Sequence, residues 1–256
     1  MNFRQTEISE LLNAEQEVSI HELADRFGVS QMTIRRDLSF LEKQGLAVRT
    51  HGGAVVAGKL RFLQGVFTGQ ADSTIKQSLG KLAASLVGQG ETVLVDGSST
   101  TYEMAVQLPK SAGITLATTS LRVAQALYGS GIKVLVLGGF LRDDTPNLYG
   151  PLAEQSLAGL RVDHLFVGCD GAESRDGFYM ADLHAASLEQ AMIACAHEVV
   201  VVAESIKFNR RAFARYATPQ QVQYLVTDSG ITARDRSNLE ERGVNVMIAE
   251  IEEYQP

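Results

Sequence analysis

The sequence predicts an α/β fold in two parts: a small, mainly helical domain, then a larger domain built on a mostly parallel sheet. Three observations carry this. Helical periodicity fills the chain up to Gly45 and then gives way to two short apolar runs around a glycine pair. From Thr92 onward, β-branched apolar runs alternate with helical stretches. A length of 256 residues suits two domains better than one or three.

The first element is a helix over about Gln5–Ala14, because Ile8, Leu11 and Leu12 recur at helical spacing. In "SIHELADRFG", Ser19 and Glu22 have the spacing of a capping box, and Ile20, Leu23, Ala24 and Phe27 form a buried stripe. Gly28 suits the left-handed position that ends a helix. One residue later Ser30 can cap a third helix, so two short helices meet at a tight glycine turn, the signature of a helix-turn-helix.

On the third helix Ile34, Leu38 and Leu41 share one side. Met32, Arg36, Ser39 and Lys43 lie opposite, flanked by Thr33 and Arg35, with Ser30 and Gln31 at its start. Recognition helices enter the major groove N-terminus first, where arginine pairs with guanine and Thr or Met touches a thymine methyl. Arg36 points most directly away from the core stripe, which assigns it to bases and Arg35 to phosphate. Two arginines alone are more often a solvated face; the short turn, three helices and a wing together point to DNA. The wing is "LAVRTHGGAVV", two apolar runs around a turn at His51-Gly52-Gly53, with Arg49 and His51 in reach of phosphate or the minor groove. These features make the first part a winged helix-turn-helix domain over residues 1–58.

The chain carries a formal net charge of -7, which argues against indiscriminate nucleic-acid binding. From Gln31 to Lys59, however, Arg35, Arg36, Lys43, Arg49 and Lys59 face only Asp37 and Glu42, so the charge is segregated. A hydrophobic content of 45% excludes a disordered chain. No apolar run approaches the roughly 20 residues of a membrane helix, and the N-terminus lacks the apolar core of a signal peptide. Cys169 and Cys195 stand apart, without CxxC or histidine spacing, and read as reduced thiols in the cytoplasm, with no metal site and no cofactor.

Residues 59–73 show no clean period and form a linker to an α/β domain over 74–256, whose first helix runs from about Thr74 to Val87. The strands lie in "TVLVDGSSTTYEMAVQL", "ITLATTSLRVAQAL", "IKVLVLGG", "VDHLFVGCDGA", "EVVVVAES", "QYLVTDSG" and "VNVMIAEI". Sheets of this kind bind ligands beyond the carboxyl ends of their strands. There Asp96, Gly97 and the hydroxyls Ser98, Ser99, Thr100 and Thr101 open a helix, as an anion site for a phosphate monoester requires. Thr118, Thr119 and Ser120 repeat the pattern after the next strand. Gly139, Arg142, Asp170 and Lys207 follow later strands; the cations suit phosphate and the carboxylate suits sugar hydroxyls.

The run "VSIHELADRFGVSQMTIRRDLSFLEKQGLAVRTHGGAVV" closely resembles the N-terminal domain of DeoR-type bacterial transcriptional regulators, over about forty residues. The resemblance implies a second half similar to ribose-5-phosphate isomerase that senses a phosphorylated sugar or related metabolite. Asp96, Ser98 to Thr101, Thr118 to Ser120, Asp170 and Lys207 fall where the family's pocket residues would. The family's usual Thr-Asn-Ser is Thr118-Thr119-Ser120 here, its D-x-S-K-F-G is "ESIKFN", and its Glu-x-x-x-Lys-Arg-x-Met run appears as "SLEQAMI", without the basic pair.

The expected function is a sequence-specific DNA-binding regulator, a homo-oligomeric repressor of a carbohydrate operon with operator DNA and a sugar phosphate as partners. The rival reading is an active sugar-phosphate isomerase with an appended DNA-binding domain. Asp170, Glu173 and Glu189 could supply its carboxylates and His184 a further group, but no lysine follows "DGAES" within the next glycine-rich stretch.

Overall fold

The structure, a computed structural model, describes residues 3–15, 17–44, 46–49, 52–56, 74–110 and 112–251. The chain forms two compact units, Met1–Gln70 and Ala71–Pro256. The segment 59–73, read as a linker, lies outside the described residues, as does His51.

The first unit contains α1 (Phe3–Glu15), β1 (Glu17–Ser19), α2 (Ile20–Phe27), α3 (Gln31–Lys43), β2 (Ala47–Arg49) and β3 (Gly53–Val56). Its core joins Ile8 and Leu12 of α1, Ile20 and Leu23 of α2, and Ile34, Leu38 and Leu41 of α3. Burying each such side chain contributes about 1.5–3 kcal/mol, which explains why the helical stripes read from the sequence all turn inward. Ser19 caps α2 through the amide of His21 at 3.2 Å, rather than that of Glu22 as the capping-box spacing predicts. Gly28 ends the helix in the left-handed region, φ 62°, and Val29 N–H closes the turn on Ala24 O at 3.1 Å. Ser30 then caps α3, accepting from Thr33 N–H at 3.3 Å.

The wing is a three-stranded antiparallel sheet in the order β1-β3-β2, in which Gly53 pairs with Ser19. A Cβ on Gly53 would lie 1.9 Å from Val18 O, so this glycine serves the close approach of two strands, whereas the sequence placed it in the turn.

The second unit begins with α4 (Thr74–Ala84), β4 (Thr92–Val95), α5 (Ser99–Val106), β5 (Thr115–Thr118), α6 (Leu121–Leu127) and β6 (Lys133–Val136). A hairpin, β7 (Phe140–Leu141) and β8 (Leu148–Tyr149), precedes α7 (Pro151–Leu157) and β9 (Val162–Val167). Then come β10 (Gly171–Glu173), β11 (Gly177–Met180), α8 (Leu183–Cys195), β12 (Ala196–Val202), β13 (Ala214–Ala217), β14 (Tyr224–Asp228), α9 (Ala233–Glu240) and β15 (Asn245–Ala249).

The seven apolar runs become one parallel sheet in the order β15-β14-β12-β9-β4-β5-β6. Consecutive residues enter opposite cores: Leu165 and Val167 of β9 pack on one face, Phe166 on the other, and Val199 and Val201 alternate with Val200 and Val202 in β12. A strand covered on both sides therefore shows no polar alternation. From β4 the chain winds outward through β5 to β6, then restarts at β9 on the other side of β4. The winding direction reverses between β4 and β9, which opens a crevice beyond their carboxyl ends.

Candidate functional site

Two surfaces carry the sequence-predicted residues. On α3, Ser30, Gln31, Met32, Arg35 and Arg36 are exposed, Met32 to 61%, while Thr33 and Ser39 are half-buried. Ser30 and Thr33 hydroxyls bond each other at 3.0 Å, so part of their capacity serves the cap. Among the described residues neither Arg35 nor Arg36 forms an ion pair. Asp37 is buried, accepting from Arg4 Nε at 2.6 Å and Gln5 Nε2 at 2.9 Å, which ties α1 to α3. Of the two anions that the sequence counts against the basic patch, Asp37 is thus compensated within the domain, while Glu42 is exposed near the end of α3. Lys43 ends α3 and Arg49 ends β2.

The second surface is a cavity of about 380 Å³ at the switch point of the large sheet. Its floor is the loop after β4. Asp96 accepts from Ser98 N–H at 3.1 Å, from the Thr101 hydroxyl, and from Gly168 N–H at 2.8 Å, which joins the end of β4 to the end of β9. Ser98 caps α5 through Thr101 N–H at 3.2 Å. The β7–β8 hairpin folds back over the end of β5: Leu121 N–H donates to Pro146 O and Leu148 N–H to Thr119 O, both at 2.9 Å. That docking sets Asn147 on Gly97, where its Nδ2 donates to Gly97 O at 3.1 Å. A Cβ on Gly97 would meet the Asn147 amide at 2.2 Å, so any larger residue there would displace the Asn147 side chain.

The opposite wall is α8. Asp182 caps it, accepting from His184 N–H at 2.8 Å, and also accepts from Arg142. The other edge of Arg142 donates to Asp144 at 2.9 and 3.3 Å. Arg142 holds both carboxyls below the ordinary carboxylate range by these hydrogen bonds. One helical turn and more beyond Asp182, Glu189 reaches the same cavity with its side chain buried. Six buried side-chain polar atoms lack a hydrogen-bond partner among the described residues. Three of them, Thr145 Oγ1, Asn147 Oδ1 and Glu189 Oε2, belong to residues of this cavity.

Comparison with known proteins follows the same division. Residues 4–59 match the DeoR-like helix-turn-helix domain, and residues 71–229 match the DeoR C terminal sensor domain. The chain belongs to the DeoR family. Over 230 residues, 89% of each chain, it is 33% identical to the transcriptional repressor AccR of Agrobacterium fabrum. It is 32% identical over 245 residues to the HTH-type transcriptional regulator GlpR of Haloferax volcanii, covering 95% of this chain and 96% of that one. Ribose 5-phosphate isomerase A of Neisseria gonorrhoeae aligns with a TM-score of 0.40 at 17% identity over 53% of each chain. This DeoR-family protein is a DNA-binding transcriptional regulator. No helix among its described residues is long and apolar enough to cross a membrane.

Of the effector residues expected in the regulator, Asp96, Gly97, Ser98, Thr119, Arg142 and Asp170 line the cavity. Ser99, Thr100, Thr101, Thr118, Ser120, Gly139 and Lys207 are not among its lining residues. Several are occupied with the fold: Thr101 bonds Asp96, Thr118 Oγ1 accepts from Ser120 N–H at 3.0 Å, and Ser120 caps α6. Ser99 is exposed on α5, and Lys207 sits on the short turn Ser205–Lys207. Asp144, Thr145, Asn147, Tyr149 and Asp182 were missed. The Asp-Asp-Thr-Pro-Asn run at 143–147 is a turn signal that could have marked the hairpin. Glu189, read only as a carboxylate for the rival isomerase, stands in a 13-residue helix with no other formally charged side chain except the titratable His184.

Burial, reinforced by the charge of Asp96, pushes the Glu189 carboxyl well above its ordinary value of 4.5. Asp96 is itself raised by burial, against the hydrogen bonds it accepts. A raised carboxyl favours folding below the ordinary value and loses that contribution as pH rises through the folded value, at about 1.4 kcal/mol per pH unit in that window. Glu189→Gln removes the cost. The variant is expected to melt several degrees above wild type at pH 7.5, with the gap narrowing as pH falls toward 5; thermal melts across that range check it, and equal melting at both ends would refute it.

Proposed function

We propose that this regulator represses a carbohydrate-utilisation operon in the cytoplasm, bound to its operator as a homo-oligomer and released when a phosphorylated sugar fills the switch-point cavity. The observation that carries the reading is that cavity, whose lining residues hold three buried polar atoms without partners among the described residues. Polar groups buried without partners are costly, and that three residues carrying them line one cavity fits a ligand rich in hydroxyls. The phosphate would lie toward Gly97, Ser98 and Thr119, where two strand ends meet two helix starts. A single helix-turn-helix makes few base contacts, which favours repeated half-sites and more than one subunit. The exposed edge of β6, with Leu135 and Val136 both more than two-fifths accessible, supports pairing with a second copy.

The residues exposed on α3, together with Lys43, Arg49 and His51, would form the operator surface. Catalysis is not part of this reading. Enediolate chemistry needs an electrophile, and Arg142, the one cation lining the cavity among the described residues, is spent on two aspartates.

The test is fluorescence anisotropy of the full chain on DNA from upstream of its own gene, titrated with sugar phosphates. Operator affinity is expected to fall about tenfold or more, which requires about 1.4 kcal/mol of preference for the released state. Unchanged affinity with every sugar phosphate that raises the melting temperature would overturn the effector role. Formation of ribulose 5-phosphate from ribose 5-phosphate on an enzymatic timescale would favour the isomerase instead.

A further inference from the structure

The charges around the cavity are lopsided in a way that a plain sugar phosphate does not explain. Among the described residues Asp96, Asp144, Asp170, Asp182 and Glu189 all contribute to its wall, against Arg142 alone. Arg142 is paired with Asp144 and Asp182. Asp96 is taken up by three donors of the protein. Asp170 has one oxygen on Ala181 N–H at 2.8 Å. Glu189 receives no hydrogen bond among the described residues, although its side chain is buried and Oε2 is shut off from solvent. The helix that carries it, "LHAASLEQAMIAC", contains no lysine or arginine that could compensate it.

Even without Asp96 and Glu189, whose carboxyls burial raises, Asp144, Asp170 and Asp182 outnumber Arg142, so a phosphate entering the space adds negative charge to negative charge at low dielectric, where the repulsion is strongest. A ligand that also carries a positive group removes the conflict, and the acceptors without donors show where that group would lie. We infer that the effector bears an amino group whose ammonium is received by Glu189, so that the ligand is an amino-sugar phosphate. An ammonium offers three donors and one positive charge. Glu189 offers a carboxyl with no competing donor among the described residues, which gives up its proton to solvent as the ammonium takes its place, and Asn147 Oδ1 is a second acceptor on the cavity lining. A hydroxyl in its place would supply a donor without the charge, and a charge-assisted bond is roughly twice as strong as a neutral one. Glu189 is therefore the residue that reads the sugar, while the α5 loop reads its phosphate. This inference rests on the cavity being the effector pocket.

Calorimetric titration of the full chain separates the parts. The probes are glucosamine 6-phosphate and galactosamine 6-phosphate, the matching hexose 6-phosphates, and the two free hexosamines. At least one hexosamine phosphate is expected to bind about tenfold or more tightly than its hexose counterpart. In Glu189→Gln that ratio is expected to fall to about threefold or less. Equal affinity for amino and hydroxy forms in the wild type overturns the amine assignment while the sugar-phosphate reading stands. A free hexosamine that binds as tightly as its phosphate does the reverse. Binding of no hexosamine in either form overturns the assignment, and so does a preference that survives in Glu189→Gln.

Discussion

Asp96→Ala is expected to lower the melting temperature of the sensor domain by roughly 6–12 °C, a loss of about 3 kcal/mol or more. Asp96 was expected to contact the effector. In the folded chain its two oxygens accept from Ser98 N–H, the Thr101 hydroxyl and Gly168 N–H, and the residue is 1% exposed. Removing the carboxylate leaves these donors without their acceptor, and each buried unsatisfied donor costs about 1–3 kcal/mol. The Gly168 bond spans the point where the sheet reverses its winding, so the loss also loosens the floor of the cavity. Asp96→Asn keeps the shape but turns an amide N–H2 toward at least one donor, and is expected to melt well below wild type too. Thermal unfolding followed by circular dichroism measures both. Melting within about 2 °C of wild type for the alanine variant would show that the network is dispensable.

The second large effect is on DNA. Arg36→Ala is expected to weaken specific operator binding by about 1–3 kcal/mol, roughly 5- to 150-fold, and to relax the base preference at the position it contacts. Arg35→Ala is expected to weaken binding to all sequences alike and to reduce the salt dependence by about one phosphate contact. Both side chains are exposed on α3, without ion pairs among the described residues, while Ile34, Leu38 and Leu41 on the opposite side are fully buried. Neither change therefore touches the core. Gel shifts on operator and scrambled DNA, at two salt concentrations, distinguish the two roles. If Arg36→Ala binds the operator as wild type does while retaining its helical signal, the base-reading role is wrong.

The placement of Asp37 shows where local patterning stops being informative. Its position on the helical wheel was legible, but its partner, Arg4, lies 33 residues earlier and on another helix. The same holds for the wing, where "HGG" reads as a turn. The close approach of Val18 O to Gly53 involves a strand from before α2, which no hairpin rule anticipates.

Much of the protein follows from the sequence alone, because the signals are local. Helix stripes, caps at Ser19 and Ser30, and seven apolar β-branched runs depend on residues within a few positions of one another, and all appear in the structure. The family resemblance in "TIRRDL" and "HGGA" is of this kind. The tertiary structure alone decided the strand order, and with it the crevice between β4 and β9. It also decided that the hairpin tip at 142–147 folds onto β5, setting Asn147 on a glycine 50 residues earlier. Above all it decided the fate of the hydroxyls and carboxylates. A serine that caps a helix and one that faces a ligand look identical in sequence. Burial and the nearest donor separate them, and these exist only once distant segments pack. Thr101 was thereby drawn into the fold, and Glu189, on a nearly uncharged helix, was left in the cavity with an acceptor and no donor.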